Sequence, residues 1–155
     1  MEIADLITPE SVLPALKAGT KKQVLLELSR KAATLTGQSD RTICEVLTER
    51  ERLGSTGVGM GIAIPHGKLA GLDKIVGVFA RLDRPIDFDA IDDQPVDLVF
   101  LLLAPEGAGG EHLRALARVS RLLRDRKNCA KLRDTENPVA LYSMLTEGTA
   151  SSHAA

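Results

Sequence analysis

The sequence predicts a single α/β domain with helices packed on a small sheet, and three observations carry that prediction. Two apolar runs, Lys74 to Leu82 and Val96 to Leu103, are rich in β-branched and bulky residues and have the length of strands. Elsewhere apolar residues recur at helical spacing, as in Val24, Leu25, Leu28, Ala32 and Leu35. A chain of 155 residues, 44% hydrophobic and without internal repeat or linker, suits one core of ordinary size. Aromatic residues make up only 3%, so that core is aliphatic.

In chain order, a short apolar start ends near Pro9, and Ser11 to Leu16 reads as extended or turn-like. Thr20 opens a helix, with Gln23 completing a capping-box pattern, and Gly37 stops it. Asp40 caps a second helix that turns Ile43, Val46 and Leu47 inward and carries Arg50 near its end. Gly54 to Gly61, with four glycines, is a loop. Ile62 to Ile64 is a short strand delivering Pro65, His66 and Gly67. Between the two clear strands, Asp83 to Pro95 is acidic and turn-rich. Gly107 to Gly110 leads into a helix with Leu113, Leu116, Ala117, Ser120 and Leu123 in periodic array. A last helix follows Asn137 and Pro138, a cap and first-turn pair. The tail from Gly148 is small and polar and is expected to be disordered, which leaves 1–147 as the folded domain.

Lys plus Arg (20) nearly balance Asp plus Glu (21), so there is no global basic field for DNA or an anionic membrane. Scarce aromatics also argue against stacking platforms for single-stranded nucleic acid. Cys44 and Cys129 form no CxxC pair and read as reduced thiols. Met1 to Leu6 lacks the apolar run of a signal peptide, and no stretch approaches the roughly 18 apolar residues of a membrane span. The expectation is a soluble, cytoplasmic protein.

Among residues that carry chemistry, His66 comes first. Its imidazole is a neutral nucleophile near cellular pH, and Gly67 lets another molecule approach closely. Alone, it reads more readily as a hydrogen-bonded structural histidine. Gly54, Gly57, Gly59 and Gly61 free a loop whose amides can turn toward an anion, and Ser55 and Thr56 add hydroxyls. The bland alternative is a mobile connection. The loop is no nucleotide fingerprint: Ile62 stands where a Walker pattern needs Lys, and where GxGxxG needs its third Gly. Arg50 offers a fork-shaped charge that matches phosphate, or else belongs to a solvated helix end with Glu49, Glu51 and Arg52. His112 sits at a helix start, where anions are favoured, or simply faces water. His66 and His112 without a third ligand make a poor metal site. His153 in the tail reads as inert.

The run Arg50-Glu51-Arg52-Leu53-Gly54-Ser55-Thr56-Gly57-Val58-Gly59, then Gly61-Ile62-Ala63-Ile64-Pro65-His66-Gly67-Lys68, resembles the active-site stretch of the mannitol/fructose-type enzyme IIA domains. These belong to the bacterial phosphoenolpyruvate-dependent phosphotransferase system. The resemblance continues through Pro85-Ile86-Asp87-Phe88 and Val96 to Pro105 as far as His112-Leu113. Among subfamilies it is most similar to the stand-alone nitrogen-regulatory IIA type. The resemblance implies a mixed, mostly parallel sheet flanked by helices. It also implies phosphorylation of His66 at Nε2, with His112 as second active-site histidine and Arg50 as the arginine beside it. Ser55, Thr56, Gly57, Gly59 and Gly61 then form the phosphate-binding loop. One position departs from the family pattern: Met60 stands where these proteins often carry Asn.

The implied function is that of a phosphocarrier needing neither cofactor nor metal. It would take its phosphoryl group from an HPr-type carrier and regulate partners such as sensor kinases or potassium-transport components. Three other readings are open: a fructose or mannitol IIA component, a regulatory binding module never phosphorylated at His66, and a metal-dependent hydrolase.

Overall fold

The computed structural model describes residues 1–147, with its last helix drawn as Pro138–Ala154. The expected disordered tail, 148–155, lies outside the described residues. Two 3-10 turns, Ile3–Asp5 and Pro9–Ser11, precede the first strand, β1 (Val12–Leu16). Then come α1 (Lys21–Thr36), α2 (Asp40–Arg52), β2 (Gly57–Gly59), β3 (Ile62–Ala63), β4 (His66–Leu69), β5 (Val76–Ile86) and β6 (Val96–Pro105). The chain closes with α3 (Gly110–Arg124), α4 (Arg126–Arg133) and α5 (Pro138–Ala154).

The six strands form one mixed sheet in the order β1-β5-β6-β3-β2, with β4 also on β6. β1 on β5, β3 on β6 and β4 on β6 are parallel, while β5–β6 and β2–β3 are antiparallel. β6 is buried on both faces, which is why it reads as an unbroken apolar run. Leu98, Phe100, Leu102 and Ala104 face the core under α3, α4 and α5. Val99, Leu101 and Leu103 face the core under α1 and α2. β3 and β4 hold a single register against β6: Ile62 lies opposite Leu98, His66 opposite Leu102 and Lys68 opposite Ala104. Pro65 separates β3 from β4 without breaking the ladder, since its carbonyl accepts from the Leu102 amide.

The helix boundaries follow from caps. Thr20 accepts from the Gln23 amide and Gly37 closes α1 in the left-handed region at φ 75°. The Gln23 side chain accepts from the Gly19 amide, so the capping box closes one residue earlier than its pattern implies. α2 is capped by Ser39, which accepts from the Thr42 amide; Asp40 is the first helical residue, a correction of one position. Asn137 caps α5, accepting from Val139 and Ala140.

Three larger corrections are needed. β5 runs on to Ile86, through residues expected to be turn-like, because Ile86 still pairs with Val96 across a register shift. α4 had no counterpart in the sequence reading: Asp125 caps it, but it buries only Cys129 and Leu132 and so has little periodicity to read. In α3 the inward face is His112, Ala115, Val119, Leu122 and Leu123, with Leu113 pointing to solvent.

Candidate functional site

The β3–β4 edge and the end of α2 together place the functional side chains. Gly67 lies against α2, where an added Cβ would come within 2.5 Å of Val46 Cγ1. That close approach brings Arg50, one turn from the end of α2, beside His66 at the start of β4. The Arg50 Nε–H donates to His66 Nε2 at 3.3 Å, and an Arg50 terminal N–H donates to the Gly54 carbonyl at 3.0 Å. On the other side of the ring, His66 Nδ1 lies 2.8 Å from the Ile64 carbonyl oxygen.

Those two contacts decide the tautomer. A carbonyl only accepts and a guanidinium only donates, so Nδ1 carries the proton and Nε2 presents its lone pair. Burial holds His66 below the ordinary histidine pKa; the Ile64 carbonyl opposes this, and the Arg50 charge adds to it. The neutral ring with Nε2 free of a proton is the nucleophilic form.

His112, in the first turn of α3, has its ring centre 5.6 Å from that of His66, tilted by 52°. It is buried, and its Nδ1 has no hydrogen-bond partner among the described residues. Burial is the main cause of its lowered pKa, followed by the charges of His66 and Lys68. The structure therefore brings Arg50, His66 and His112 into one cluster from α2, β4 and α3.

The glycine loop is organised differently from its sequence expectation. Gly57–Gly59 and Ile62–Ala63 form a small hairpin, and its two hydroxyls are engaged internally. Ser55 Oγ donates to the Phe88 carbonyl at 2.7 Å and accepts from the Gly57 amide at 3.0 Å. Thr56 donates its hydroxyl to the Glu51 carboxylate, which also accepts from the Thr56 amide at 3.0 Å. Gly61 is at the far tip, where its carbonyl accepts from Asp97 and Leu98 amides. Gly59 is beside Asp92, and Met60 has φ 59° with a half-exposed side chain. Two side chains hold the Met60 backbone: Asp92 accepts from the Met60 amide at 2.9 Å, and Arg133 donates to the Met60 carbonyl at 2.8 Å. The left-handed backbone there also explains why Asn, which tolerates it, suits this position.

Sequence reading missed Glu51. Its carboxylate is 6% exposed, pairs with Lys21 Nζ at 2.9 Å and fixes the start of the loop beneath Arg50. Position in an Arg-Glu-Arg run disguised it as a surface charge, whereas Arg52 and Glu49 do form such an exposed pair. Grooves of about 610 Å³ (Lys17 to Gly19 with Asp83 to Ile86) and about 340 Å³ (Val58 to Met60, Ile62 and Ile64 with Ser120, Leu123 and Arg124) contain none of Arg50, His66 and His112. Among the described residues no three His, Cys, Asp or Glu side chains gather as a metal site. No helix among them is long and apolar enough to cross a membrane.

Comparison with known proteins identifies the family of the chain. The family model for the phosphoenolpyruvate-dependent sugar phosphotransferase system, EIIA 2, matches residues 5–148. The nitrogen regulatory protein of Bradyrhizobium diazoefficiens is 63% identical over 145 residues, 94% of this chain and 95% of that one. The crystal structure of nitrogen regulatory protein IIA-Ntr from Neisseria meningitidis superposes with a TM-score of 0.88 at 34% identity, over 93% of this chain and 99% of that one. IIA mannitol from Escherichia coli shares the fold, with a TM-score of 0.75 at 21% identity, over 90% and 98% of the two chains. The chain belongs to the EIIA 2 family of the phosphoenolpyruvate-dependent sugar phosphotransferase system, and within it is a homologue of the nitrogen regulatory proteins.

Proposed function

We propose that this protein is a cytoplasmic phosphocarrier of a nitrogen-regulatory relay, taking a phosphoryl group on His66 Nε2 from an HPr-type carrier and signalling through its two charge states. The observation that carries the reading is the fixed tautomer: Nδ1–H on the Ile64 carbonyl and Nε2 open, beside an arginine. The Nε2–P bond forms as the donor's N–P bond breaks, and the bonding pair returns to the donor nitrogen. No proton need move, since Nδ1–H keeps its acceptor throughout. Arg50 shifts its N–H from Nε2 to the phosphoryl oxygens, and His112 lines the other side. The loop of Ser55, Thr56, Gly57, Gly59 and Gly61 serves by holding Gly54 and Arg50 in place.

The regulatory output is electrostatic. Phosphorylation places nearly two negative charges on this face, so a partner reading it distinguishes the two forms without a change of fold. Sensor kinases and potassium-transport components are partners of the kind that fits.

The test is to incubate the protein with phosphoenolpyruvate, enzyme I and the HPr-type carrier, and to take intact mass beside His66→Ala. Gain of one acid-labile phosphoryl group by the wild type alone is expected. No transfer from a carrier verified as phosphorylated overturns the reading.

A further inference from the structure

We propose that Lys68 is a phosphoryl-binding residue, its ammonium pairing with oxygens of the group on His66 Nε2 and completing a two-cation cradle with Arg50. The inference rests on the phosphocarrier reading of His66 and adds to it a residue that had no assigned role.

Placement comes first. The unbroken register of β3 and β4 on β6 fixes which way each side chain leaves the strand. Gly67 lies opposite Leu103 and abuts Val46 of α2, and Leu69 belongs to the core under α1 and α2. His66 lies opposite Leu102 and Lys68 opposite Ala104, both of which belong to the core under α3. His66 and Lys68 therefore project from one face, toward the α3 terminus that bears His112. Residues two apart on a strand stand roughly 6.6 Å apart, within the span of a four-carbon stem. The electrostatic influence of Lys68 on His112 agrees with that placement.

Availability follows. Lys68 is exposed and has no carboxylate within ion-pair distance among the described residues. Other nearby cations are committed: Lys21 to Glu51 and Asp89, Arg52 to Glu49.

Charge balance supplies the need. A phosphoryl group brings nearly two negative charges, and Arg50 supplies one positive. His112 is held toward its neutral form by burial, and the Ser55 and Thr56 hydroxyls already donate to Phe88 and Glu51. Lys68 is a cation on the correct face, without an ion pair among the described residues, and can supply the second. As the N–P bond to the donor breaks and that to Nε2 forms, the charge on the oxygens passes between two carriers, and a mobile ammonium can follow it.

The experiment compares wild type, Lys68→Met and Lys68→Arg. Uptake from the phosphorylated HPr-type carrier is followed in single turnover at saturating carrier, and the phosphohistidine is titrated by ³¹P NMR. Lys68→Met is expected to lower the saturated rate about tenfold and to raise the pKa of the phosphoryl group, with Lys68→Arg restoring most of both. A wild-type saturated rate and ³¹P titration in Lys68→Met overturn the proposal. So does a defect seen only in the carrier concentration for half-saturation, which would make Lys68 a docking contact. Failure of the wild type to take up phosphate sinks the phosphocarrier reading itself, and Lys68 with it.

Discussion

At the scale of single residues, the chemistry of the phosphocarrier reading rests on how a few hydrogen bonds fix one imidazole. Arg50 holds His66 Nε2 by one N–H and the Gly54 carbonyl by another, so it is both aimed and tethered. On the phosphocarrier reading, replacing it by Gln removes the charge beside the incoming phosphoryl group, and single-turnover uptake is expected to slow about 10- to 100-fold. Glu51 acts one step further away. Its loss leaves the Thr56 amide and hydroxyl without their acceptor and Lys21 without its nearer partner. Glu51→Ala is expected to destabilise the fold by about 2–4 kcal/mol in urea unfolding. Both histidines sit below the ordinary pKa, chiefly through burial. Below about pH 6.5 the unfolded chain therefore binds more protons than the native one. The corresponding stability is fully present above that pH and is lost as pH falls through the native values. Between about pH 7.5 and about 5.5, the urea midpoint of the wild type should fall further than that of a His66→Gln, His112→Gln double variant. Equal falls would show that burial of the pair does not oppose its protonation. That His66 and Arg50 lie side by side was expected from the resemblance, which named Arg50 as the arginine beside the histidine. Glu51 was not, because burial is a tertiary property that an Arg-Glu-Arg run conceals.

At the scale of elements, the legible parts are those where a local rule acts alone. Thr20 and Gly37 bound α1 because a hydroxyl cap and a left-handed glycine need no help from the rest of the fold. β6 was legible because a strand buried on both faces has no polar positions to confuse it. The face of α3 was misread because Leu113 and Leu116 suggest one stripe, whereas the neighbours bury the one containing His112, Ala115 and Val119. His112 is thus part of the inward face and not merely near a helix start. β4 escaped because its four residues, His66 to Leu69, include only one buried apolar side chain and are held by pairing with β6. Its packing against α2 yields a sharp expectation. In Gly67→Ala the new methyl meets Val46, so α2 and β4 must separate by some tenths of an ångström or more. The variant should lose about 1–3 kcal/mol of stability through overpacking. It should also slow phosphoryl uptake, because the same displacement lengthens the Arg50–His66 contact. Normal uptake in a destabilised Gly67→Ala would show that the contact tolerates the shift.

At the scale of the molecule, one sheet with a core on each side allows the site to be assembled from both. α1 and α2 cover one face and deliver Arg50; α3, α4 and α5 cover the other and deliver His112; His66 stands at the strand edge between them. What surrounds the site is apolar and exposed: Leu53, next to the end of α2, is 84% accessible, and Leu113, next to His112, is 67% accessible. Large aliphatic side chains in water beside a charged cluster are the makings of a protein contact, with hydrophobic anchors around a polar centre. On the phosphocarrier reading these two leucines dock the donor, while Arg50, His66 and His112 do the chemistry. The two roles separate kinetically. Leu53→Asp and Leu113→Glu should each raise the carrier concentration needed for half-maximal uptake by about 5- to 50-fold, leaving the saturated rate within about twofold of wild type. The urea midpoint should barely move, since neither side chain belongs to a core. A fall in the saturated rate with unchanged half-saturation would place the leucines in the chemistry instead. No change in either quantity would move the docking face elsewhere on the molecule.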